Sequence, residues 1–196
     1  MKRALAAALA VLMLALGACS GPEPAALAVK GSDLGAAPGI GGDFTLLDAS
    51  GRPRTLSSFR GKVVALFFGY THCPDVCPTT MLEYARAMKA LGNAADKVQV
   101  VFVSVDPERD TPAVLASYVP HFDPRFVGLT GGAGDIARVL RQYKIVAQRV
   151  PAQGGGYSMD HSAGSYLLDR EGKVRVYEPY ASEASALAHD IRQLLR

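Results

Sequence analysis

The apolar positions of this chain fall into two kinds of run. Val63-Val64-Ala65-Leu66-Phe67-Phe68 runs from Lys62 to Gly69 without a polar interruption, and Gln99 to Val105 is a second stretch, apolar at all but Gln99 and Ser104. Apolar runs of this length predict strands buried on both faces. Elsewhere the spacing is helical. After Pro78, the residues Met81, Tyr84, Ala85, Met88 and Leu91 lie on one helical face, with Gly92 where a helix would end. Ile136, Val139, Leu140 and Tyr143 mark a further amphipathic helix, and Leu187, Ile191, Leu194 and Leu195 a terminal one. Thr111-Pro112 reads as the capped start of a short helix. Shorter patterns predict a hairpin from Phe44 to Leu56 around Ser50-Gly51, a short strand from Phe126 to Leu129, and a second hairpin from Ser165 to Tyr177 around Asp169-Arg170-Glu171-Gly172.

The order is therefore strand, helix, strand, helix, short strand, helix, hairpin, helix, behind a leading hairpin. Strands alternating with helices imply a parallel sheet with right-handed crossovers, and the closing hairpin adds antiparallel strands. The fold class is α/β. The ordering matches a thioredoxin-like fold with an N-terminal β-hairpin extension and insertions, while periodicity alone also allows other open α/β sheets.

Composition agrees with one globular core: 49% of the 196 residues are apolar and 20% are charged. The first residues change the picture. Met1-Lys2-Arg3, an apolar run from Ala4 to Leu16 and Leu16-Gly17-Ala18-Cys19 read as an export signal, too short to span a bilayer comfortably. Leu, two small residues and Cys resemble the lipobox of bacterial lipoproteins. That implies a signal peptide at residues 1–18 and a lipidated first residue at Cys19, the alternative being an ordinary signal with an incidental cysteine. An anchor of this kind places the domain outside the cytoplasm on a bacterial membrane, facing the periplasm where the cell has two membranes, and disulfides persist there. Residues 20–42 hold six Gly, three Pro and five Ala, so a flexible tether is expected at 19–42 and the folded domain at 43–196. Without Lys2 and Arg3 the charge balance is 19 basic against 18 acidic residues, which argues against a nucleic-acid partner.

Candidate chemistry sits at the end of the first buried strand. Gly69-Tyr70-Thr71-His72-Cys73-Pro74-Asp75-Val76-Cys77-Pro78 leads directly into a helix, the place in an open α/β sheet where ligands gather. A helix N-terminus favours thiolate over thiol, hence both nucleophilic exchange and metal ligation. Three readings are open: a structural disulfide, a structural zinc site completed by histidines, or a pinch for one soft metal ion.

Three motifs in order are more specific. Gly69-Tyr70-Thr71 with Cys73-Pro74-Asp75-Val76-Cys77-Pro78, then Val105-Asp106-Pro107-Glu108-Arg109-Asp110-Thr111-Pro112, then Asp160-His161-Ser162 before Tyr166-Leu167-Leu168-Asp169 resemble the Sco/SenC family across Phe44 to Arg196. The resemblance implies a thioredoxin-like, membrane-tethered copper chaperone that helps assemble the dinuclear copper centre of cytochrome c oxidase subunit II. It carries the copper ligands onto Cys73, Cys77 and His161. Another copper chaperone and a thioredoxin-like reductant are further expected partners. The donor chemistry agrees, because two thiolates suit Cu(I) and an imidazole admits Cu(II). The glycine run at 154–156 reads as a segment that lets the His161 arm swing. His72 and Met159 are weaker candidates beside the ligands, Asp75 and Asp160 candidates for orienting them, and His121 and His189 surface residues. Asp106, Glu108, Arg109 and Asp110 either end a strand and cap the next helix or form part of a docking face.

The competing function is an extracytoplasmic thiol-disulfide oxidoreductase that reduces its partner's copper-ligand cysteines with the redox-active pair Cys73 and Cys77. Against it, thioredoxins space their cysteines by two residues, not three, and place a proline where this chain has His161-Ser162-Ala163. A peroxiredoxin would need a Thr three residues before the attacking cysteine and a Pro four before that. Those places hold Tyr70 and Leu66 for Cys73, and Pro74 and Tyr70 for Cys77.

Overall fold

The computed structural model describes residues 27–35, 38–152 and 154–196. The signal peptide expected at 1–18 and the lipidation expected at Cys19 lie outside the described residues. In chain order the elements are β1 (Ser32–Asp33), β2 (Thr45–Asp48), β3 (Pro53–Thr55), β4 (Val63–Gly69), α1 (Val76–Leu91), β5 (Val98–Ser104), α2 (Pro112–Tyr118), β6 (Val127–Thr130), α3 (Ala133–Gln142), β7 (Ala147–Pro151), β8 (Tyr157–His161), β9 (Ser165–Leu168), β10 (Val174–Glu178) and α4 (Ala184–Leu194).

The two apolar runs become β4 and β5, and every residue of both is buried. They pair in parallel, from Val63 opposite Val98 to Gly69 opposite Ser104. On the other side of β4 runs β9, antiparallel, with Val64 opposite Leu168. The order β10-β9-β4-β5, with α1 as the crossover between the parallel pair, is the thioredoxin-like core. The leading hairpin β2–β3 joins the far edge through β6, so core and extension share one eight-stranded sheet. Fully buried Leu66, Phe67, Phe68 and Phe102 fill the centre, each contributing about 1.5–3 kcal/mol of apolar burial.

Helix α1 turns Met81, Tyr84, Ala87, Met88 and Leu91 inward and ends at Gly92 with φ +58°. Its buried phenol is satisfied by Ser165, Tyr84 Oη to Ser165 Oγ at 2.6 Å. Helix α2 opens as its sequence predicts, with Thr111 Oγ1 accepting the Val114 N–H at 3.4 Å and Pro112 in the first turn.

Three expectations are corrected. Helix α1 starts at Val76 rather than after Pro78, because a proline in the first turn occupies a position whose N–H needs no partner. Cys77 is thus on the helix itself. The tether expected at 19–42 does not hold for its described part: Ser32 and Asp33 pair with Tyr177 and Val176, and the Lys30 and Gly31 N–H groups donate to the buried Asp190 carboxylate at 2.7–2.8 Å. Composition measures side chains, whereas backbone N–H groups on a sheet edge and a carboxylate hold this segment. The glycine run is the tip of the β7–β8 hairpin, with Gly154, Gly155 and Gly156 all at positive φ. His161 lies at the opposite end, across from Ala147. The glycines turn the chain and do not hinge the histidine.

Candidate metal centre

The fold brings Cys73, Cys77 and His161 together: one ligand atom from each lies within 4.8 Å of the others. Both cysteines are free thiols. Cys73 sits half-buried in the turn after β4, where its N–H donates to the Tyr70 carbonyl at 3.3 Å. Cys77, in the first turn of α1, is buried and donates its N–H to Cys73 Sγ at 3.4 Å. Space for its sulfur comes from Gly69, where an added Cβ would lie 2.8 Å from Cys77 Sγ.

His161 arrives from β8, with Nε2 3.7 Å from Cys77 Sγ. Its Nδ1 lies 2.8 Å from the Ser162 carbonyl, which can only accept, so Nδ1 carries the proton. In the neutral ring the lone pair is then on Nε2, facing the sulfurs, which is the tautomer a metal ligand needs. Burial pushes the imidazole below its ordinary pKa, opposed by the Ser162 bond, and so favours the neutral form. Burial likewise pushes the Cys77 thiol far up. Burial thus works against the thiolate that the helix N-terminus is expected to favour, and metal binding at Cys77 must displace a proton. Donors 2.0–2.3 Å from one ion stand roughly 3.5–4 Å apart, so the Cys77–His161 separation is already that of a ligand pair.

Other expected residues separate from this group. His72 is exposed and contacts Thr71. Met159 is half-buried and lines the open groove at Cys73 and His161 with Tyr70, Pro74 and Ala163. Asp75 stands at the N-cap position of α1 without a side-chain capping bond and accepts from the Thr79 hydroxyl, and Asp160 is exposed on β8. Among the described hydrogen bonds, neither aspartate reaches a ligand; the Ser162 carbonyl orients the imidazole instead. His121 is exposed, and His189 bonds Asp190.

The segment 106–110, left open between strand end and docking face, braces the site. Asp110 is fully buried and accepts from Thr71 N–H, Thr71 Oγ1 and Ser104 Oγ at 3.0, 2.6 and 2.6 Å. It fixes the turn that leads to Cys73. Asp106 accepts from Tyr157 Oη at 2.9 Å and pairs with Arg109. The Arg109 guanidinium stacks 3.8 Å from the Tyr157 ring and donates to the Tyr157 carbonyl at 2.9 Å. Arg149 stacks on the same ring at 3.9 Å and pairs with Glu108 at 2.6 Å. A hairpin signal was available for β7 and β8: two short stretches flanking three glycines. Its partner across 48 residues had no local signal.

The SCO1/SenC family matches residues 32–196. The mitochondrial Protein SCO2 homolog of Bos taurus is 41% identical over 155 residues, 78% of this chain and 58% of that protein. The chain thus spans little more than half the length of this relative. Copper-bound ScoI of Bradyrhizobium japonicum superimposes with a TM-score of 0.73 at 44% identity, covering 79% of this chain and 99% of that one. For apo Sco1 of Thermus thermophilus the TM-score is 0.76 at 37% identity, over 86% and 98%. With the family model matching residues 32–196, from the β1 edge to the last residue, and a relative 41% identical over 78% of this chain, the chain belongs to the SCO1/SenC family.

Proposed function

We propose that this protein carries one copper ion on Cys73, Cys77 and His161 and delivers it to the dinuclear copper centre of cytochrome c oxidase subunit II, held at a membrane by a lipidated Cys19. The observation that carries the reading is the donor set itself: two thiol sulfurs and one Nε2 lone pair within 4.8 Å, with Cys73 and His161 lining an open groove and Cys77 buried behind them. Two thiolates suffice for Cu(I), and the imidazole extends the site to Cu(II). Three protein donors leave room for an incoming ligand, as transfer requires, whereas a structural zinc site closes four. Its relatives include a copper-bound Sco protein.

Copper stoichiometry tests this reading. The reduced domain should bind one ion per chain and the Cys73–Cys77 disulfide form none, since oxidation removes both thiolate donors. Equal uptake by both forms overturns it. For the anchor, Cys19→Ala should release the protein from membranes, because no helix among the described residues is long and apolar enough to cross one. Continued association after salt and alkaline washing would overturn that part.

The second reading is thiol-disulfide exchange with the partner's cysteines. It draws on the asymmetry of the pair, with Cys73 half-exposed for attack and Cys77 buried behind it. His161→Ala separates the two: thiol exchange needs no third ligand and should keep its rate, while copper delivery should fail. Normal maturation of the oxidase centre by this variant under limiting copper would favour exchange.

A further inference from the structure

The β7–β8 hairpin that brings His161 stands apart from the eight-stranded sheet. A lone two-stranded ribbon is marginal in water, so something outside it must set its position. Along β8 exposure alternates, with Tyr157, Met159 and His161 on the inward face and Ser158 and Asp160 outward. At one end of that inward face is the ligand. At the other, roughly 13 Å along the strand, is the ring held by Arg109.

We infer that Arg109 is a positioning residue for His161, acting through Tyr157. Its guanidinium meets the hairpin by a stacked ring and a carbonyl bond, and is itself fixed by the buried Asp106 carboxylate. The next residue, Asp110, holds Thr71 in the turn that leads to Cys73. One short segment therefore touches both halves of the site and sets the height of Nε2 over the sulfurs. The metal readout below rests on the copper reading, but the inference itself concerns the hairpin.

Two variants approach the contact from opposite sides. Arg109→Lys keeps a positive charge for Asp106 but has no planar face to stack and only one nitrogen, so it lacks the fork that reaches the carboxylate and the carbonyl together. Tyr157→Leu removes the ring and leaves Arg109 paired. In both, Cu(II) affinity of the reduced domain should fall about tenfold, the low end for groups that orient ligands, and the thiolate-to-Cu(II) absorption band should shift. Cu(I) affinity should stay within about threefold, since the two thiolates hold that ion. In a His161→Ala background neither substitution should lower Cu(II) affinity further, because both act through the same imidazole. Without metal, amide exchange from Tyr157 to His161 should quicken about tenfold while β4 and β5 are unchanged.

Equal losses for Cu(I) and Cu(II), or losses that add to that of His161→Ala, would reduce Arg109 to general scaffolding and overturn the inference. Unchanged β8 exchange would do the same. If the unaltered domain takes up no copper, the copper reading fails, and the exchange measurement still decides the role of Arg109.

Discussion

The two halves of the candidate centre are built by opposite means. The thiol half stands where β4 meets α1, between a strand whose seven residues are all buried and a helix packed along its length. Gly69 is fitted around Cys77 Sγ, and Asp110 ties Thr71 to the end of β5. The imidazole half rides on a ribbon with most of its residues exposed, held by one aromatic ring, two guanidinium groups and a carbonyl. Two donors are thus part of the core, and the third is added from outside it. The thiol pair is fixed by the packing of the core, while the position of the imidazole depends on a few polar contacts.

Ranked by unfolding free energy, three perturbations probe this contrast and a fourth the β1 edge. Asp110→Ala should cost about 3 kcal/mol in urea unfolding, because three donors lose a shared acceptor on the thiol side. A loss below about 1 kcal/mol would mean that the thiol turn is not braced as described. Gly69→Ala should cost about 2 kcal/mol through overpacking, as its Cβ would meet Cys77 Sγ at 2.8 Å and Phe67 at 2.9 Å. An unchanged midpoint would show the thiol half to be as yielding as the hairpin.

A third test addresses the β1 edge, outside both halves. Burial, with the neighbouring Asp190 charge, pushes the Glu178 carboxyl up to about 7. Although burial opposes it, the Gly31 N–H, His189 and the Lys30 N–H hold Asp190 below its ordinary range. The folded state therefore keeps a proton on Glu178 that the unfolded chain loses above its ordinary carboxyl pKa. Stability should fall as pH rises from 5 to 7, by up to about 1.4 kcal/mol per pH unit, and level off above. Glu178→Gln should flatten that slope; a slope that survives the substitution would place the proton elsewhere. Last, His161→Ala should change unfolding by under about 0.5 kcal/mol yet lower Cu(II) affinity at least about tenfold. A cooperative loss of stability of the size seen for Asp110→Ala would erase the distinction between the halves.

Wherever one residue's surroundings come from its own neighbours in sequence, they were legible. The apolar runs became β4 and β5 because a largely apolar stretch has nowhere to go but the middle of a sheet. The cap at Thr111 and the stop at Gly92 are local backbone chemistry. The cysteines were placed at the strand-to-helix turn for the same reason. The histidine was named through resemblance, and the element that carries it was misread. Glycines at 154–156 look alike in a flexible loop and at a hairpin tip, and only pairing of β7 with β8 separates the two. The segment ahead of Asp43 failed similarly, since small side chains conceal backbone groups that Tyr177, Val176 and Asp190 satisfy.

What the amino-acid order determined by itself was the α/β layering, the central strands and the two thiols at the strand-to-helix turn. Those follow from apolar periodicity and from the chemistry of single side chains. Only the tertiary structure decided that burial pushes the Cys77 thiol up, that the Ser162 carbonyl turns Nε2 toward the sulfurs, and that Arg109 meets Tyr157 across 48 residues. Solvent exclusion and long-range contact belong to no single stretch of chain; they exist only once the elements have packed.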